Sequence, residues 1–218
     1  EATVFMGVPT LYVRMLAEPT LTREAARHMR LFIAGSAPLL IETFTEWQQR
    51  TGHTILERYG MSETIMLTSN PCAADPRYGN QSERRGGTVG FPLPEVGLRV
   101  RGDDAVDLPV GEIGGIQVKG PNVFSGYWRM PEKTAEEFTA DGWFRTGDLF
   151  EIAEPGDPRY YRFVGRLRQL IVRGGMKISP EEIDAAVAEI GLPDAQATSW
   201  GAVMAPAGTP APAIAPKP

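Results

Sequence analysis

The sequence predicts a mixed α/β fold, in which an α/β subdomain over residues 1–86 is followed by a β-barrel-like subdomain over residues 87–166. The first prediction depends on alternation: short apolar runs typical of strands, as at 31–34 and 54–56, are separated by segments with apolar residues at helical spacing. The second depends on a change at Gly87, after which short β-forming runs are separated at close intervals by glycine and proline.

The individual elements follow from the same patterns. The apolar run 4–8 predicts a buried strand, and the helical spacing between 41 and 47 predicts a helix that Gly52 ends. In the second subdomain, a short helix is expected over 131–138, with a proline in its first turn. Strands are predicted at 88–92, 97–100, 114–118, 150–152 and 160–164.

Composition narrows the classes of function. The chain has 218 residues, 42% of them hydrophobic, with a formal net charge of −5 and no cluster of Lys and Arg. This predicts a globular protein that binds a small molecule and has no nucleic acid or membrane surface as partner. No run approaches the roughly 18 apolar residues that a membrane-spanning helix needs. The single Cys72 cannot form an internal disulfide, so a cytoplasmic setting is expected.

The stretch 57–64 is the most informative one in the chain. It places Tyr59 and Gly60 at the end of a predicted strand, where the aromatic ring can stack on a flat base. The hydroxyl of Ser62 and the carboxylate of Glu63 follow directly, which predicts a phosphate and metal end of the site, since carboxylate oxygens suit Mg²⁺. The alternative is a strand-turn-helix junction with Ser62 as the helix cap.

Two further motifs accompany this stretch. Residues 144–148 end in Asp148, an acidic group that can accept both hydroxyls of a ribose, and Arg166 follows in a Gly-Arg pair. The alternative for 144–148 is a Thr-Gly-Asp surface turn. The loop 35–38 combines glycine with small residues, which let a ligand approach the backbone closely.

In order and spacing, these motifs resemble those of the adenylate-forming superfamily of acyl-CoA synthetases, luciferases and peptide-synthetase adenylation domains. The segments 8–12, 68–71, 120–124 and 126–133 are most similar to malonyl-CoA synthetases. The resemblance covers residues 1 to about 190. It implies an ATP-dependent acid–CoA ligase that uses ATP, Mg²⁺ and CoA, forms an acyl-AMP and acts on a small, malonate-like carboxylic acid.

The resemblance also implies roles for individual residues. Ser62 would contact phosphate and Glu63 would hold Mg²⁺, so these two are the candidate catalytic residues. The positions implied for nucleotide and CoA binding are Gly35, Ser36, Ala37, Tyr59, Gly60, Met61, Asp148, Arg166 and Gly175. The free carboxylate of a dicarboxylic acid needs a cation, because an unpaired buried charge is costly. Arg14 and Arg30 are the candidates, and Met66 is a candidate for the acyl pocket.

Two features of the family are not found in these 218 residues: the glycine- and hydroxyl-rich phosphate loop, and the lysine near the C-terminus. We therefore expect a partial enzyme, inactive alone, in which residues 167–204 form a hinge and a truncated C-terminal domain and residues 205–218 form a Pro/Ala-rich disordered tail. Association through the surface left by the missing N-terminal half is expected. The alternatives are a peptide-synthetase adenylation domain, a non-catalytic nucleotide-binding remnant, and a structural or partner-binding protein.

Overall fold

The computed structural model describes residues 2–76, 82–102, 106–153 and 159–167, together with the backbone of 171–173 and 176–178. Most of the predicted hinge region and the whole predicted tail lie outside these residues. Residues 171–173 and 176–178 pair as an antiparallel hairpin of two strands.

A five-stranded sheet occupies the N-terminal half. Its first three strands are parallel and lie in the order of the chain, with helices in both connections, as the alternating sequence pattern predicts. Two short strands then extend the sheet with antiparallel pairs. The elements are β1 (Val4–Gly7), α1 (Pro9–Leu16), α2 (Arg23–Ala26), β2 (Leu31–Ala34), α3 (Ile41–Thr51), β3 (Ile55–Tyr59), β4 (Thr68–Ser69) and β5 (Phe91–Pro92).

Local chemistry sets the limits of these helices. Pro9 occupies the first turn of α1, where its missing N–H costs nothing. The Thr22 hydroxyl accepts a hydrogen bond from the Ala25 N–H at 3.2 Å and so caps α2. Gly52 ends α3 with a φ of 78°, in the left-handed region that glycine enters at little cost.

Aromatic side chains form the core between these helices and the sheet. The Trp47 ring of α3 meets the rings of Tyr12 and Phe32 edge to face, each at a centroid distance of 4.9 Å. The buried Tyr12 hydroxyl donates a hydrogen bond to the Ile33 carbonyl at 2.7 Å. This pairing fixes α1 against β2 and orients the loop that follows β2.

An antiparallel four-stranded sheet forms the second part. Its strands are β6 (Gly97–Arg101), β7 (Gly114–Lys119), β8 (Phe144–Ile152) and β9 (Tyr161–Arg166), and α4 (Pro131–Glu137) lies between β7 and β8 in the chain. The strands follow the order β6-β7-β8-β9, so β6 and β9 are the two ends of the sheet as far as the described residues go. The predicted barrel is not confirmed, because a closed barrel requires its end strands to pair.

The two parts meet where β3 ends. The Tyr59 ring packs edge to face on Phe150 of β8, with a centroid distance of 4.8 Å. Strand β1 differs from its prediction as a buried strand: it is the end strand of its sheet, and Val4 and Met6 are 41% and 58% exposed. Among the helices of the described residues, none has the length and apolarity to cross a membrane.

Candidate functional site

A cleft of about 550 Å³ lies between the end of β3, the loop after β2, and strands β8 and β9. The loop and the strand ends meet there because β2 and β3 are parallel neighbours, so their carboxyl ends open at the same edge of the sheet. Eight residues that the motifs predict as site residues line it together: Ser36, Ala37, Tyr59, Gly60, Met61, Glu63, Asp148 and Arg166.

The centre of the cleft is a chain of three polar side chains. The Tyr59 hydroxyl donates a hydrogen bond to Asp148 Oδ2 at 2.6 Å, and Arg166 Nε lies 3.4 Å from Asp148 Oδ1. Asp148 and Arg166 are direct partners across the β8–β9 ladder, which explains why two distant motifs converge. The Asp148 side chain is only 7% exposed, whereas Arg166 is 55% exposed. A buried carboxylate therefore stands beside a cation that reaches solvent.

Burial controls the protonation of this group. It raises the pKa of the Tyr59 phenol well above its ordinary value, and the neighbouring Asp148 charge adds to that effect. Burial likewise raises the pKa of Asp148, against the opposing effects of the Tyr59 hydrogen bond and the Arg166 charge. Tyr59 is thus held as a hydrogen-bond donor, and Asp148 is the acceptor.

Glu63 forms a second polar point in the cleft. Its Oε1 accepts a hydrogen bond from the Tyr127 hydroxyl at 3.1 Å, and its carbonyl accepts the Phe124 N–H at 2.8 Å. No cluster of three His, Cys, Asp or Glu side chains occurs among the described residues. The single carboxylate of Glu63 nevertheless fits Mg²⁺, which is commonly bound through one or two carboxylates plus phosphate oxygens and water.

The turn between Tyr59 and Leu67 positions Glu63. Residues 62–64 form a turn and β4 begins at Thr68, so the alternative that makes Ser62 a helix cap is wrong. The Thr64 N–H donates to the Met61 carbonyl at 3.1 Å, which closes the turn. Ser62 itself is exposed and does not line the cleft.

The loop after β2 forms one wall. Ser36 has a φ of 67°, in the left-handed region that side chains seldom adopt. It lines the cleft together with Ala37 and Pro38. Gly35 does not line the cleft but lies beneath it, where an added β-carbon would come within 3.4 Å of the Arg58 carbonyl. The small residues of this loop thus allow close packing against β3.

Cations other than Arg166 also line the cleft. Lys133 makes ion pairs with Glu136 and Glu137, and Arg145 Nη1 donates to the Glu136 and Phe138 carbonyls at the end of α4. Arg58 differs from both. Its Nη2 donates a hydrogen bond to Met6 Sδ at 2.9 Å, and within the described part of the chain its side chain has neither an ion pair nor a carbonyl acceptor.

The remaining predicted residues lie elsewhere. Arg14 is exposed on α1, and Arg30 is exposed with its Nε on the Thr3 hydroxyl at 3.2 Å. Met66 is half-buried and does not line the cleft. Gly175 falls outside the described residues. Neither arginine is brought to the cleft.

Sequence reasoning missed several lining residues, for two different reasons. Arg58 stands inside the stretch 57–64, and Arg145, Thr146 and Gly147 directly precede Asp148, so proximity to the motifs was an available signal. Tyr127 lies in the family-like segment 126–133, but it is 64 positions from Glu63, so its contact with the Glu63 carboxylate could be seen only in the fold.

Comparison with known proteins gives consistent matches. A family model described as AMP-binding enzyme matches residues 1–128. The chain is 40% identical over 196 residues to the malonate–CoA ligase of Arabidopsis thaliana, which covers 86% of this chain and 30% of that protein.

Solved structures agree with the sequence matches. The ATP-bound crystal structure of MatB from Rhodopseudomonas palustris has a TM-score of 0.77 at 52% identity, covering 86% of this chain and 35% of that one. A malonyl-CoA ligase in a ternary product complex with methylmalonyl-CoA and AMP has a TM-score of 0.64 at 41% identity, covering 86% of this chain and 39% of that one. The chain therefore spans about a third of the length of the proteins it matches.

Proposed function

Because the chain belongs to the family of AMP-binding enzymes, we propose that it carries the nucleotide-binding part of an ATP-dependent acid–CoA ligase. The resemblance that the motifs predict is confirmed by the family match and by the named relatives. The observation that carries the proposal is the buried Asp148 carboxylate, joined to Tyr59 and Arg166 inside a cleft large enough for a small ligand.

The cleft offers separate partners for each part of a nucleotide. The Tyr59 ring gives an aromatic surface for the base, and the Ser36–Ala37 backbone allows close approach. The Asp148 carboxylate would accept hydrogen bonds from the two ribose hydroxyls, and Arg166 would contact ribose or phosphate. ATP before the reaction and AMP after it would share these contacts.

Glu63 and Ser62 are assigned to the phosphate end. Glu63 would hold Mg²⁺ through its carboxylate, and the Tyr127 hydroxyl orients that carboxylate. When bound, the cation neutralises charge on the reacting phosphate groups. The exposed hydroxyl of Ser62, one residue earlier in the turn, would donate a hydrogen bond to a phosphate oxygen.

Arg58 is the cation that we assign to a small dicarboxylic acid of the malonate type. A buried carboxylate needs a charged partner, and guanidinium groups bind carboxylates through two hydrogen bonds. Arg58 lines the cleft next to Tyr59 and is not engaged with an acidic side chain of the described residues. It replaces Arg14 and Arg30, which the fold leaves on the surface.

The proposed reaction of the whole enzyme has two steps. A carboxylate oxygen of the acid attacks the α-phosphorus of ATP, and pyrophosphate leaves with the electron pair of the broken P–O bond. The thiol of CoA then attacks the acyl carbon of the adenylate, loses its proton and displaces AMP. Two of the matched proteins are named for malonate or malonyl-CoA, and one of these two was solved with methylmalonyl-CoA and AMP. Exposed Cys72 has no disulfide partner, which supports a reducing compartment such as the cytoplasm.

Binding of AMP to the 218-residue chain tests the nucleotide site. We expect Asp148→Asn to weaken AMP binding at least about tenfold in titration calorimetry, because a neutral amide is a weaker acceptor for the ribose hydroxyls. The matched control is Asp107→Asn, which alters an exposed ion pair with Arg101. Equal affinity in the wild-type chain and Asp148→Asn would contradict the proposal.

A non-hydrolysable malonyl-adenylate mimic tests the substrate class. We expect the wild-type chain to bind this mimic more tightly than AMP. That difference in affinity should be lost in Arg58→Met and kept in Arg101→Met. A glycyl-adenylate mimic serves as the comparator for the peptide-synthetase alternative, and tighter binding of that compound than of the malonyl mimic would favour the alternative.

A further inference from the structure

Thr134 of α4 has no part in the proposed function, although a chain of contacts leads from it to Glu63. Two other residues of the same helix, Lys133 and Glu137, line the cleft. Thr134 is half-buried and does not line the cleft itself. Any influence of Thr134 on the site therefore has to pass through another residue.

The Thr134 hydroxyl makes two hydrogen bonds. It donates to the Met130 carbonyl at 3.0 Å, as helical threonines commonly do with the carbonyl four residues earlier. It also accepts the Tyr127 N–H at 2.9 Å. Because its one proton is bonded to Met130, the lone pairs of the oxygen are available to Tyr127. The hydroxyl thus joins the start of α4 to the turn that precedes it.

The turn 124–127 is also held by packing. Gly126 has a φ of 143°, and an added β-carbon there would lie 2.6 Å from Thr134 Cγ2. The backbone of the turn therefore lies directly against Thr134. On the other side, the Phe124 ring meets the Tyr127 ring edge to face, with a centroid distance of 4.8 Å. Backbone and ring of Tyr127 are both fixed by these neighbours.

This turn holds Glu63 at two points. The Phe124 N–H donates to the Glu63 carbonyl at 2.8 Å, and the Tyr127 hydroxyl donates to Glu63 Oε1 at 3.1 Å. Within the described residues, Glu63 Oε2 makes no hydrogen bond or ion pair. One carboxylate oxygen is therefore held by the protein, and the other is available to a cation.

We propose that Thr134 is a positioning residue for the Glu63 carboxylate and that it acts through Tyr127. By accepting the Tyr127 N–H, it fixes the backbone from which the tyrosine ring extends, and so determines where the hydroxyl meets Oε1. The consequence for Mg²⁺ rests on the proposed function, whereas the consequence for the contact between Tyr127 and Glu63 does not.

The contact between Tyr127 and Glu63 is sensitive to small movements. Its length of 3.1 Å is already at the long end of the range for a hydroxyl donor. The hydroxyl stands at the far end of a rigid ring, so a small rotation of the Tyr127 backbone displaces it by a larger distance. Loss of the Thr134 acceptor should therefore weaken the hold on the carboxylate.

The ¹³C NMR signal of the Glu63 carboxyl group, in the free 218-residue chain, tests this positioning role. Tyr127→Phe removes the hydrogen bond and gives the direction of the change in chemical shift. We expect Thr134→Val, which has nearly the same shape and no hydroxyl, to move the signal in the same direction. Thr134→Ser keeps the hydroxyl and should leave the signal at its wild-type position.

Thr139→Val is the matched control, because the Thr139 hydroxyl accepts the Trp143 N–H at 2.8 Å and neither residue lines the cleft. Thr134→Ala removes the same acceptor as Thr134→Val with a smaller side chain, so the test does not depend on whether the valine variant folds. An unchanged Glu63 signal in the folded Thr134 variants, or an equal change in Thr139→Val, would overturn the proposal.

Titration calorimetry with ATP measures the consequence for the cation. We expect the wild-type chain to bind MgATP more tightly than ATP in EDTA. Residues that orient a metal-binding carboxylate change metal affinity about 10- to 100-fold. The difference should thus fall about tenfold in Tyr127→Phe, fall about threefold or more in Thr134→Val, and persist in Thr134→Ser. AMP affinity should stay unchanged in all three, whereas a general loosening of the fold would lower it.

The two measurements separate this proposal from the proposed function. A wild-type chain that binds ATP equally well with and without Mg²⁺ would count against the metal role of Glu63 alone, since the carboxyl signal is recorded without nucleotide or metal. An undiminished difference between MgATP and ATP in Thr134→Val would overturn the link between Thr134 and the cation.

Discussion

Gly60 occupies a point in the site turn where a side chain has no room. An added β-carbon would lie 1.9 Å from the Ile65 carbonyl oxygen, a contact that only movement of the backbone can relieve. We expect Gly60→Ala to lower the free energy of unfolding by about 3 kcal/mol, measured by urea denaturation.

Gly115→Ala is the control for this effect. Its β-carbon would meet only the Arg101 carbonyl oxygen, at 3.9 Å, and its cost should stay below about 1 kcal/mol. Equal losses in the two variants would show that the close contact at Gly60 does not determine stability.

Glu57 should make stability depend on pH in a defined direction. The pKa of its carboxyl group is raised from 4.5 to about 8 in the folded chain, so the folded state holds an extra proton between those values. Its contribution is fully present below pH 4.5 and is lost as the pH rises towards 8, by at most about 1.4 kcal/mol per pH unit. Unfolding curves of Glu57→Gln should lack this slope.

Glu112→Gln, which changes an exposed residue, is the control for the pH experiment. Parallel pH profiles for the wild type and Glu57→Gln would contradict the assignment of the slope to Glu57.

Residue types near a motif were predictable, but their contacts were not. The stretch 57–64 and the acid at Asp148 could be identified because aromatic, hydroxyl and acidic groups recur in a fixed order. The sequence did not show which arginine lies at the cleft, because nothing in it distinguishes Arg14 and Arg30 from Arg58. Only the fold places Arg58 in the lining and leaves the other two exposed.

At the scale of elements, one side chain joins the site turn to the second part of the chain. Asn122 Nδ2 donates to the carbonyls of Thr64 and Met66, each at 2.8 Å. We expect Asn122→Ala to cost about 2 kcal/mol in unfolding free energy, since two partly buried carbonyls lose their donor. Thermal and urea unfolding would both report it.

Gln117→Ala is the matched control, because it removes an amide that accepts one hydrogen bond, from Arg99 Nε at 2.9 Å. It should cost clearly less than Asn122→Ala. The reverse order would show that the turn is held by other contacts.

The prediction of secondary structure was most accurate where one local sequence pattern is strong. Strand β2 and the end of α3 at Gly52 are confirmed, because a short apolar run and a helix-ending glycine are local signals. The barrel was the weaker inference. Glycine and proline spacing indicates short strands, but whether the end strands pair is set by long-range contacts.

At the scale of the whole molecule, β1 presents an open sheet edge. No strand of the described residues pairs with its outer side, and Val4 is 41% exposed there. Unpaired edges with apolar side chains favour association between chains. We expect the 218-residue polypeptide to self-associate with rising concentration in sedimentation velocity, and Val4→Lys to reduce this.

Ile113→Lys is the control, since Ile113 is 50% exposed but lies away from β1 in the sequence and outside any strand. A concentration-independent monomer, or equal effects of the two lysines, would argue against association through the β1 edge.

Activity of the polypeptide alone is a separate prediction. The chain spans about a third of the length of its relatives, so we expect it to bind AMP without malonate-dependent release of pyrophosphate from MgATP. Acetate and omission of acid are the controls. Release above both would mean that the residues present suffice for the first reaction step.

The sequence by itself determined the family and the types of side chain at the site, because the order and spacing of short motifs can be read without knowing the fold. The tertiary structure decided which of those groups meet. Asp148 and Arg166 become neighbours only through strand pairing, and Tyr127 reaches Glu63 across 64 positions. Such contacts depend on burial and register, which are properties of the whole fold and not of any one segment.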